Sequence, residues 1–193
     1  GLYTSKSGDP NDDDYPVEDA IRTVWASLWN FRAYEERAYF SIPHTDIGMA
    51  LLVHPSFSDE DANGVAITAN IYDTTGLEPG FYINVQEGGE SVVLPEYGNT
   101  TDQFIYYYNL PGQPIVFMGH SNLIPEGETV LTTSETYMLG RALDAIHWYF
   151  YEVYGTDGGF YGMDVEFKFD SPFVEGDNDV YIKQARPYPG WGA

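Results

Sequence analysis

The sequence predicts an α+β fold with a mainly antiparallel sheet and two long helices. Apolar residues recur at helical spacing in two separate segments, residues 16–40 and 132–154. Between these segments lie short runs rich in β-branched and aromatic residues, separated by turn-forming Gly, Pro, Asn and Asp. Two stretches that alternate polar and apolar residues, MDVEFKFD and VYIKQARP, follow the second segment. This order of helix, strands, helix and hairpin favours an antiparallel α+β domain.

The first helix is predicted to run without a break from Pro16 to Phe40. Proline suits a first helical position, and the run ends before Pro43. An apolar stripe at helical spacing is formed by Ile21, Val24, Trp25 and Leu28. Residues 1–15 are rich in Gly, Ser, Asp and Asn and are predicted to be a flexible lead-in. Residues 16–193 are predicted to form a single lobe.

Six strand-like stretches follow the first helix. Each is bounded by turn-forming residues such as DEDANG, EYGNTTD and LPGQP. The predicted strands are Ile47–His54, Gly64–Tyr72, Gly80–Val85, Ser91–Pro95, Gln103–Tyr108 and Ile115–His120.

The second helix is predicted to begin at Thr132, because Thr132 and Glu135 have the spacing of a capping box. Gly155 is the predicted C-cap. The buried stripe is predicted to consist of Leu139, Leu143, Ile146, Phe150 and Val153.

Composition restricts the classes of function. The 193 residues include 30 acidic and 8 basic side chains, for a formal net charge of −22, and no Lys or Arg occurs between Ala38 and Gly140. Nucleic acids and anionic membranes bind clustered cations, so neither is an expected partner. No apolar run approaches the ~20 residues of a membrane helix. Zero cysteines are compatible with the expected cytoplasmic location.

The last two strands place unusual polar residues on one face of the sheet. An antiparallel register in which paired residue numbers sum to about 350 sets Asp164 opposite Arg186 and Glu166 opposite Gln184. The same register sets Lys168 opposite Ile182 and Asp170 opposite Val180. Met163, Val165, Phe167 and Phe169 would then all point to the other face. Two interpretations are open. The face is either a solvated surface with cross-strand ion pairs or a site for Mg²⁺ and phosphate. The second interpretation fits because Mg²⁺ prefers oxygen ligands such as carboxylates, and a guanidinium binds phosphate.

The hairpin resembles a known family signature. DVEFKFD…VYIKQARP is similar to the D-[IV]-E-W…L-Y-I-[LV]-Q-A-R-P ending of the nucleotide-binding domain in the phosphoenolpyruvate synthase and pyruvate, phosphate dikinase family. Further blocks resemble the same family in the same order: GLYTS, AIRTVWASLWNFRAYEER, IPHTDIGMALLV, NGVAITANIYD and EGGESVV.

This resemblance implies the later lobe of an ATP-grasp fold, which binds ATP and Mg²⁺. Glu166 is implied as a Mg²⁺ ligand, Gln184 as a second ligand or phosphate contact, and Asp164 lies beside them. Arg186 is implied to stabilise the transferred phosphoryl group, and Glu90 matches the acid of the family's G-L-G-E segment. In phosphoryl transfer the protein mainly positions groups and neutralises charge, so such residues are expected.

The chain also departs from the family pattern. His54 replaces a glutamine, Ile71 replaces a proline, and the segment before Glu90 reads Glu87-Gly88-Gly89. Glu166 and Gln184 are several residues farther apart than in the family. The family's earlier lobe, with its triphosphate-binding Lys and Arg, and its phosphohistidine domain are implied partners. We therefore expect the ATP·Mg-binding part of a phosphotransferase, inactive by itself, with the acceptor (pyruvate, glucan or another) set by other domains.

Two rival functions are open on the residues alone. One is a non-catalytic, acidic, Tyr-rich binding module, for example for carbohydrate, with the Tyr106–Tyr108 run as a stacking platform. The other uses Asp164 and Glu166 as the carboxylate pair of a glycosidase, a placement that their spacing does not exclude. The glycosidase interpretation does not account for Gln184, Arg186 and the first helix. The four histidines lack metal-ligand spacing.

Overall fold

The computed structural model describes residues 2–57, 60–73, 75, 77–155, 159–171 and 178–190. The chain divides into two units, Gly1–Ser56 and Phe57–Ala193. The first unit contains helices α1 (Val17–Ala26) and α2 (Phe31–Tyr39). The second contains helix α3 (Thr133–Tyr154) and the strands β1 (Ala62–Ile67), β2 (Phe81–Glu87), β3 (Asp102–Tyr106), β4 (Ile115–Gly119), β5 (Met163–Asp170) and β6 (Asp179–Pro187). The predicted division into a lead-in and a single lobe stays a prediction.

The first predicted helix is two helices, so the prediction of one continuous helix is wrong. A 3₁₀ turn, Ser27–Trp29, follows α1, and Asn30 is extended with ψ 142°. The Ser27 hydroxyl donates to the Val24 carbonyl at 2.6 Å. Serine and asparagine compete with the helical backbone in this way and favour helix ends. Pro16 is the extended N-cap of α1 and not the predicted first helical residue.

Arg37 compensates for the break between the two helices. Arg37 is 6% exposed, and its Nη2 donates to the Leu28 carbonyl at 2.7 Å. Nε donates to His44 Nδ1 at 3.2 Å, and the His44 ring stacks on Tyr34 with centroids 4.1 Å apart. A carbonyl at an interrupted helix end lacks a helical partner, so the buried arginine supplies one.

Two predicted strands are absent from the described residues. Ile47–His54 forms no strand, although half-buried and exposed residues alternate from Ile47 to Leu52. Ser91–Pro95 forms a turn instead, in which the Ser91 hydroxyl accepts from the Leu94 N–H at 3.1 Å. Alternation and β-branching favour a strand only where a neighbouring strand completes the hydrogen-bond ladder, and neither segment pairs with one.

The second unit is built on one six-stranded sheet with the order β4-β3-β2-β1-β5-β6. Every neighbouring pair is antiparallel. The remaining predicted strands are confirmed with shifted ends, and so is the α+β class of an ATP-grasp-like lobe. Of the two long helices predicted, the first is the exception, because only α3 is long among the described helices.

The core lies on the face of the sheet that α3 covers. The four inward residues of β5 are at most 1% exposed. They pack with Leu139 and Leu143 of α3 and with residues of the neighbouring strands, including Ile83, Val85 and Phe104. The predicted inward set Met163, Val165, Phe167 and Phe169 is therefore confirmed.

Helix α3 has the predicted start and end. The Thr132 side chain accepts from the Glu135 N–H at 3.2 Å, and the Thr132 N–H donates to the Glu135 carboxylate at 2.8 Å. This reciprocal pair is a complete capping box. Gly155 is the C-cap, and its N–H donates to the Tyr151 carbonyl.

A buried carboxylate organises the connection between β4 and α3. Asp102 is fully buried and accepts from the Ser121 N–H and the Val130 N–H, both at 2.8 Å. The Ser121 hydroxyl donates to Gln86 Oε1 at 2.6 Å. These bonds satisfy backbone groups that the sheet leaves unpaired, so the connection is held to the ends of β2 and β3.

Close packing of β1 against β5 requires a glycine. Gly64 pairs with Phe167 across the two strands. A Cβ atom at Gly64 would lie 2.4 Å from the Phe167 ring and 2.7 Å from the Asn84 carbonyl oxygen. A backbone atom cannot move aside as a flexible side chain can, so residue 64 has no room for a side chain.

Gly64→Ala should lower the free energy of unfolding by about 1–3 kcal/mol, the usual cost of overpacking. Urea unfolding monitored by circular dichroism measures this change. The matched control is Gly119→Ala in β4, where the added Cβ makes an ordinary contact at 3.6 Å. Equal stability of the two variants would contradict the packing constraint.

His147 connects α3 to the end of β1. Its Nδ1 lies 3.0 Å from the Thr68 hydroxyl, and Thr68 Oγ1 also accepts from the Met163 N–H at 2.9 Å. The His147 carbonyl accepts from the Tyr161 hydroxyl at 2.8 Å. Burial lowers the pKa of His147 from its usual 6.5, against smaller opposing contributions from Thr68 and Asp144. The structure therefore favours the neutral imidazole.

The stability of the chain should fall as the pH drops below about 6.5, partly because of His147. Above that pH the ring is neutral in both states. Below it the unfolded chain binds a proton that the folded chain resists, until the pH passes the lowered folded pKa. The free energy of unfolding, measured with urea, should differ less between about pH 7.5 and pH 5.5 in His147→Gln than in the wild type. A pH dependence of His147→Gln identical to that of the wild type would contradict the assignment.

Candidate functional site

The outer face of the β5–β6 hairpin presents the polar residues predicted from the sequence. Asp164 pairs with Arg186 and Glu166 pairs with Gln184, as the register predicted. Because β5 buries its other side chains, these groups lie on the face opposite the core. Two carboxylates, a carboxamide and a guanidinium thus share one surface.

Arg186 and Asp164 form an ion pair on this surface. Arg186 Nε lies 2.8 Å and Nη2 lies 2.7 Å from Asp164 Oδ2. The Asp164 side chain is 17% exposed and that of Arg186 is 64% exposed. Such an exposed pair adds little to stability, but it orients the guanidinium beside Glu166.

A β-bulge changes the register beyond Glu166. Phe167 pairs with Ile182, so Lys183 is an extra residue in β6. Lys168 therefore pairs with Tyr181, and the predicted pairing of Lys168 with Ile182 is wrong by one residue. Asp170 likewise pairs with Asp179 and not with the predicted Val180. An extra residue reverses the alternation on its own strand, which the regular period of two did not predict.

The bulge places Lys183 near Lys168. The Phe57 ring centroid lies 4.3 Å from Lys183 Nζ and 5.9 Å from Lys168 Nζ. Lys168 also forms an ion pair with Glu60, whose side chain is 8% exposed. Burial lowers the pKa of Lys183, and repulsion from Lys168 lowers it further against the attraction of Glu60. The two ammonium groups therefore act on each other electrostatically.

A cavity of about 270 Å³ adjoins these residues. Its charged lining residues are Glu166, Lys168 and Lys183. The rest of the lining comes from β1, β5 and the turn after β2: Asn63, Gly64, Val65, Ser91, Val92, Val93 and Phe167. Asn63 Nδ2 donates to the carbonyls of Gly88 and Glu90 at 2.5 and 2.8 Å, which holds this turn beside the sheet.

Glu90 lies next to the cavity, but its carboxylate serves the turn. Oε1 accepts from the Glu96 N–H at 2.8 Å and from Asn99 Nδ2 at 3.1 Å. Glu90 does not belong to the residues that line the cavity. The structure thus brings Glu166 to the cavity and places Asp164, Gln184 and Arg186 further along the same hairpin face.

A second cavity, of about 320 Å³, differs in chemistry. It is lined by aromatic residues of α3 and the following segment, including Trp148, Tyr151, Phe160 and Tyr161, and its charged lining residue is Glu78. None of its described lining residues is Lys or Arg. A phosphate group requires neighbouring positive charge, so the cavity beside Glu166 is the one suited to an anionic ligand.

Other predicted features do not contribute to this arrangement. The Tyr106–Tyr108 run packs against the core, with Tyr106 buried and Tyr108 stacked on Phe81. His54 belongs to the first unit, where its Nδ1 lies 2.7 Å from the Pro55 carbonyl. Most of the hairpin loop (172–177) and Gly1 of the GLYTS block lie outside the described residues.

The described part of the chain contains neither a metal-binding cluster nor a membrane-spanning helix. There, no group of three or more His, Asp or Glu side chains is arranged to hold a metal ion. No helix in the same ranges is long and apolar enough to cross a membrane.

Sequence reasoning did not assign Lys183 or Asn63 to the lining of a site. Lys183 did leave a signal, because a lysine interrupts the apolar positions of VYIKQARP. Asn63 left none, since asparagine before Gly64 is equally typical of a turn.

Comparison with known families defines the class of protein. The model of the pyruvate phosphate dikinase AMP/ATP-binding domain matches residues 12–116. Since this range covers more than half of the 193 residues, the chain belongs to that nucleotide-binding family. The match extends from the lead-in into β4 and ends before the β5–β6 hairpin. A search of curated proteins found no match.

Proposed function

We propose that the chain is the ATP·Mg²⁺-binding part of a phosphotransferase resembling the pyruvate, water and pyruvate, phosphate dikinases. Family membership accounts for nucleotide binding. The observation that supports the finer proposal is the single hairpin face that combines Asp164, Glu166, Gln184 and Arg186 beside a cavity. Phosphoryl transfer needs groups that position phosphates and neutralise their charge, and this face offers both.

Glu166 is the principal proposed Mg²⁺ ligand. It is exposed, and no hydrogen bond or ion pair with a described residue occupies its carboxylate. Gln184, directly opposite, and Asp164, two residues earlier, supply further oxygen atoms. Mg²⁺ usually takes one or two carboxylates and completes its shell with phosphate oxygens and water, so the donor set fits. When bound, the ion would neutralise phosphate charge.

Arg186 is proposed to bind the phosphoryl group that is transferred. Its planar guanidinium can donate two parallel hydrogen bonds to phosphate oxygens. Asp164 holds the guanidinium through Oδ2, which reduces the freedom lost when a ligand binds. Asp164 thus has a positioning role in addition to its proposed metal contact. Glu90 is proposed to contribute indirectly, because it stabilises the turn that lines the cavity.

The chain is proposed to work with the cation-bearing earlier lobe and the phosphohistidine domain that the family resemblance implies. Residues 57–193 contain four Lys and Arg residues, Arg141, Lys168, Lys183 and Arg186. ATP brings several negative charges to a chain whose own formal charge is −22, so additional cations are needed for tight binding. By itself the chain should bind ATP without transferring phosphate, and the acceptor should be chosen by other domains.

Glu166→Gln should reduce by about tenfold the gain in ATP affinity that Mg²⁺ provides, because the variant lacks one charged contact. The replacement keeps the side-chain shape and removes the charge that attracts the ion. Calorimetric titration of the 193-residue chain with ATP, with and without Mg²⁺, measures the effect. Glu152→Gln, at an exposed position of α3, is the matched control. An undiminished Mg²⁺ effect in a folded Glu166→Gln protein would rule out the proposed ligand.

Arg186→Ala should weaken ATP binding by about tenfold or more while AMP binding changes little, because only ATP has the terminal phosphate. The same titrations with ATP and AMP measure both affinities. Arg141→Ala removes an exposed arginine of α3 and should leave both unchanged. Equal losses for ATP and AMP would show that Arg186 does not contact the terminal phosphate.

A further inference from the structure

Positive charge in the second unit is concentrated on one hairpin. Of the four Lys and Arg residues between residues 57 and 193, three belong to β5 and β6: Lys168, Lys183 and Arg186. An acidic chain gains solubility from its carboxylates, but that does not explain why its few cations are grouped. Grouped cations beside a cavity indicate a place for negative charge.

The bulge gives two of these cations access to the same cavity. Lys168 and Lys183 both line it, although they belong to different strands. In the unbulged register predicted from the sequence, residue 183 would have taken the inward, apolar parity of β6. Lys183 is charged at that parity, between the neighbouring positions Tyr181 and Ala185.

We infer that the cavity beside Glu166 is a phosphate subsite in which Lys168 and Lys183 provide the positive charge. The inference rests on the proposed function in assigning the phosphate to a nucleotide. The lining carries two ammonium groups and one carboxylate. An ammonium group has three donors, so the contact of Lys168 with Glu60 leaves donors for a ligand.

The charges around the pair agree with this role. Lys168 and Lys183 line the cavity together with Glu166, and Glu60 pairs with Lys168. Two ammonium groups beside one cavity repel each other, and a bound phosphate would offset that repulsion.

The first experiment titrates the 193-residue chain with inorganic tripolyphosphate in the absence of metal. Lys183→Met, which keeps the length of the side chain and removes its charge, should weaken binding by at least about tenfold. Lys6→Met, at an exposed lysine of the first unit, should bind as the wild type does. Because Lys168 holds the mostly buried Glu60, its contribution is tested in the double variant Lys168→Met/Glu60→Gln, which should also bind more weakly.

A second readout separates charge from a purely structural role. Binding of tripolyphosphate to the wild type should weaken as the salt concentration rises, because salt screens the attraction between ammonium groups and phosphate. The same titration at two concentrations of NaCl measures this dependence. Lys183→Met should lose part of the salt dependence, whereas Lys6→Met should keep it.

The source of the phosphate is settled by competition. Displacement of tripolyphosphate by ATP, with both affinities dependent on Lys183, would assign the subsite to the nucleotide. Lys183-dependent binding of orthophosphate to the ATP-saturated chain would assign it to free phosphate. Wild-type affinity of Lys183→Met for all three compounds, or no binding of tripolyphosphate to the wild type, would overturn the inference.

The two proposals fail in different ways. If Mg²⁺ promotes ATP binding through Glu166 while Lys183→Met has no effect, the phosphate subsite is wrong and the proposed function stands. If tripolyphosphate binds through Lys183 while ATP does not bind, the proposed function is wrong and the phosphate subsite stands.

Discussion

The alternation of side chains along β5 is the constraint on which the second unit depends. Met163, Val165, Phe167 and Phe169 are all buried against α3 and the neighbouring strands, and each large apolar side chain contributes roughly 1.5–3 kcal/mol. A slip of one residue would expose all four together. Their burial therefore also determines that Asp164, Glu166 and Lys168 face the other side. The polar site takes its position from the core behind it, and Gly64 provides the room that Phe167 needs in between.

Electrostatics gives this face its chemistry. In a chain with a formal charge of −22, Arg186 is held by Asp164 while Lys168 and Lys183 meet beside Glu166. The family match accounts for nucleotide binding over residues 12–116, and the hairpin beyond them supplies the candidate phosphate and metal contacts. The proposed function would need both the carboxylates and the cations there, because Mg²⁺ and phosphate would bring opposite charges to one place.

Much of the fold could be predicted because local patterns and the final packing agree. The capping box of Thr132 and the alternation of MDVEFKFD each specify a geometry that tertiary contacts then complete. The pairings of Asp164 with Arg186 and of Glu166 with Gln184 follow from that alternation. The failures occur where pattern and context differ. The first helix breaks at Ser27–Asn30, and Ile47–His54 has the pattern of a strand without a partner.

By itself, the amino-acid sequence determined which residues of the hairpin face together, since a period of two is a property of the extended backbone. It also determined the acidity and the scarcity of cations. Only the tertiary structure decided that Lys183 is an extra residue in β6, that it joins Lys168 at a cavity, and that Glu90 stabilises a turn. A bulge depends on the hydrogen bonds between two particular strands, and a cavity depends on the packing of segments far apart in the chain, so neither can be deduced from one local pattern.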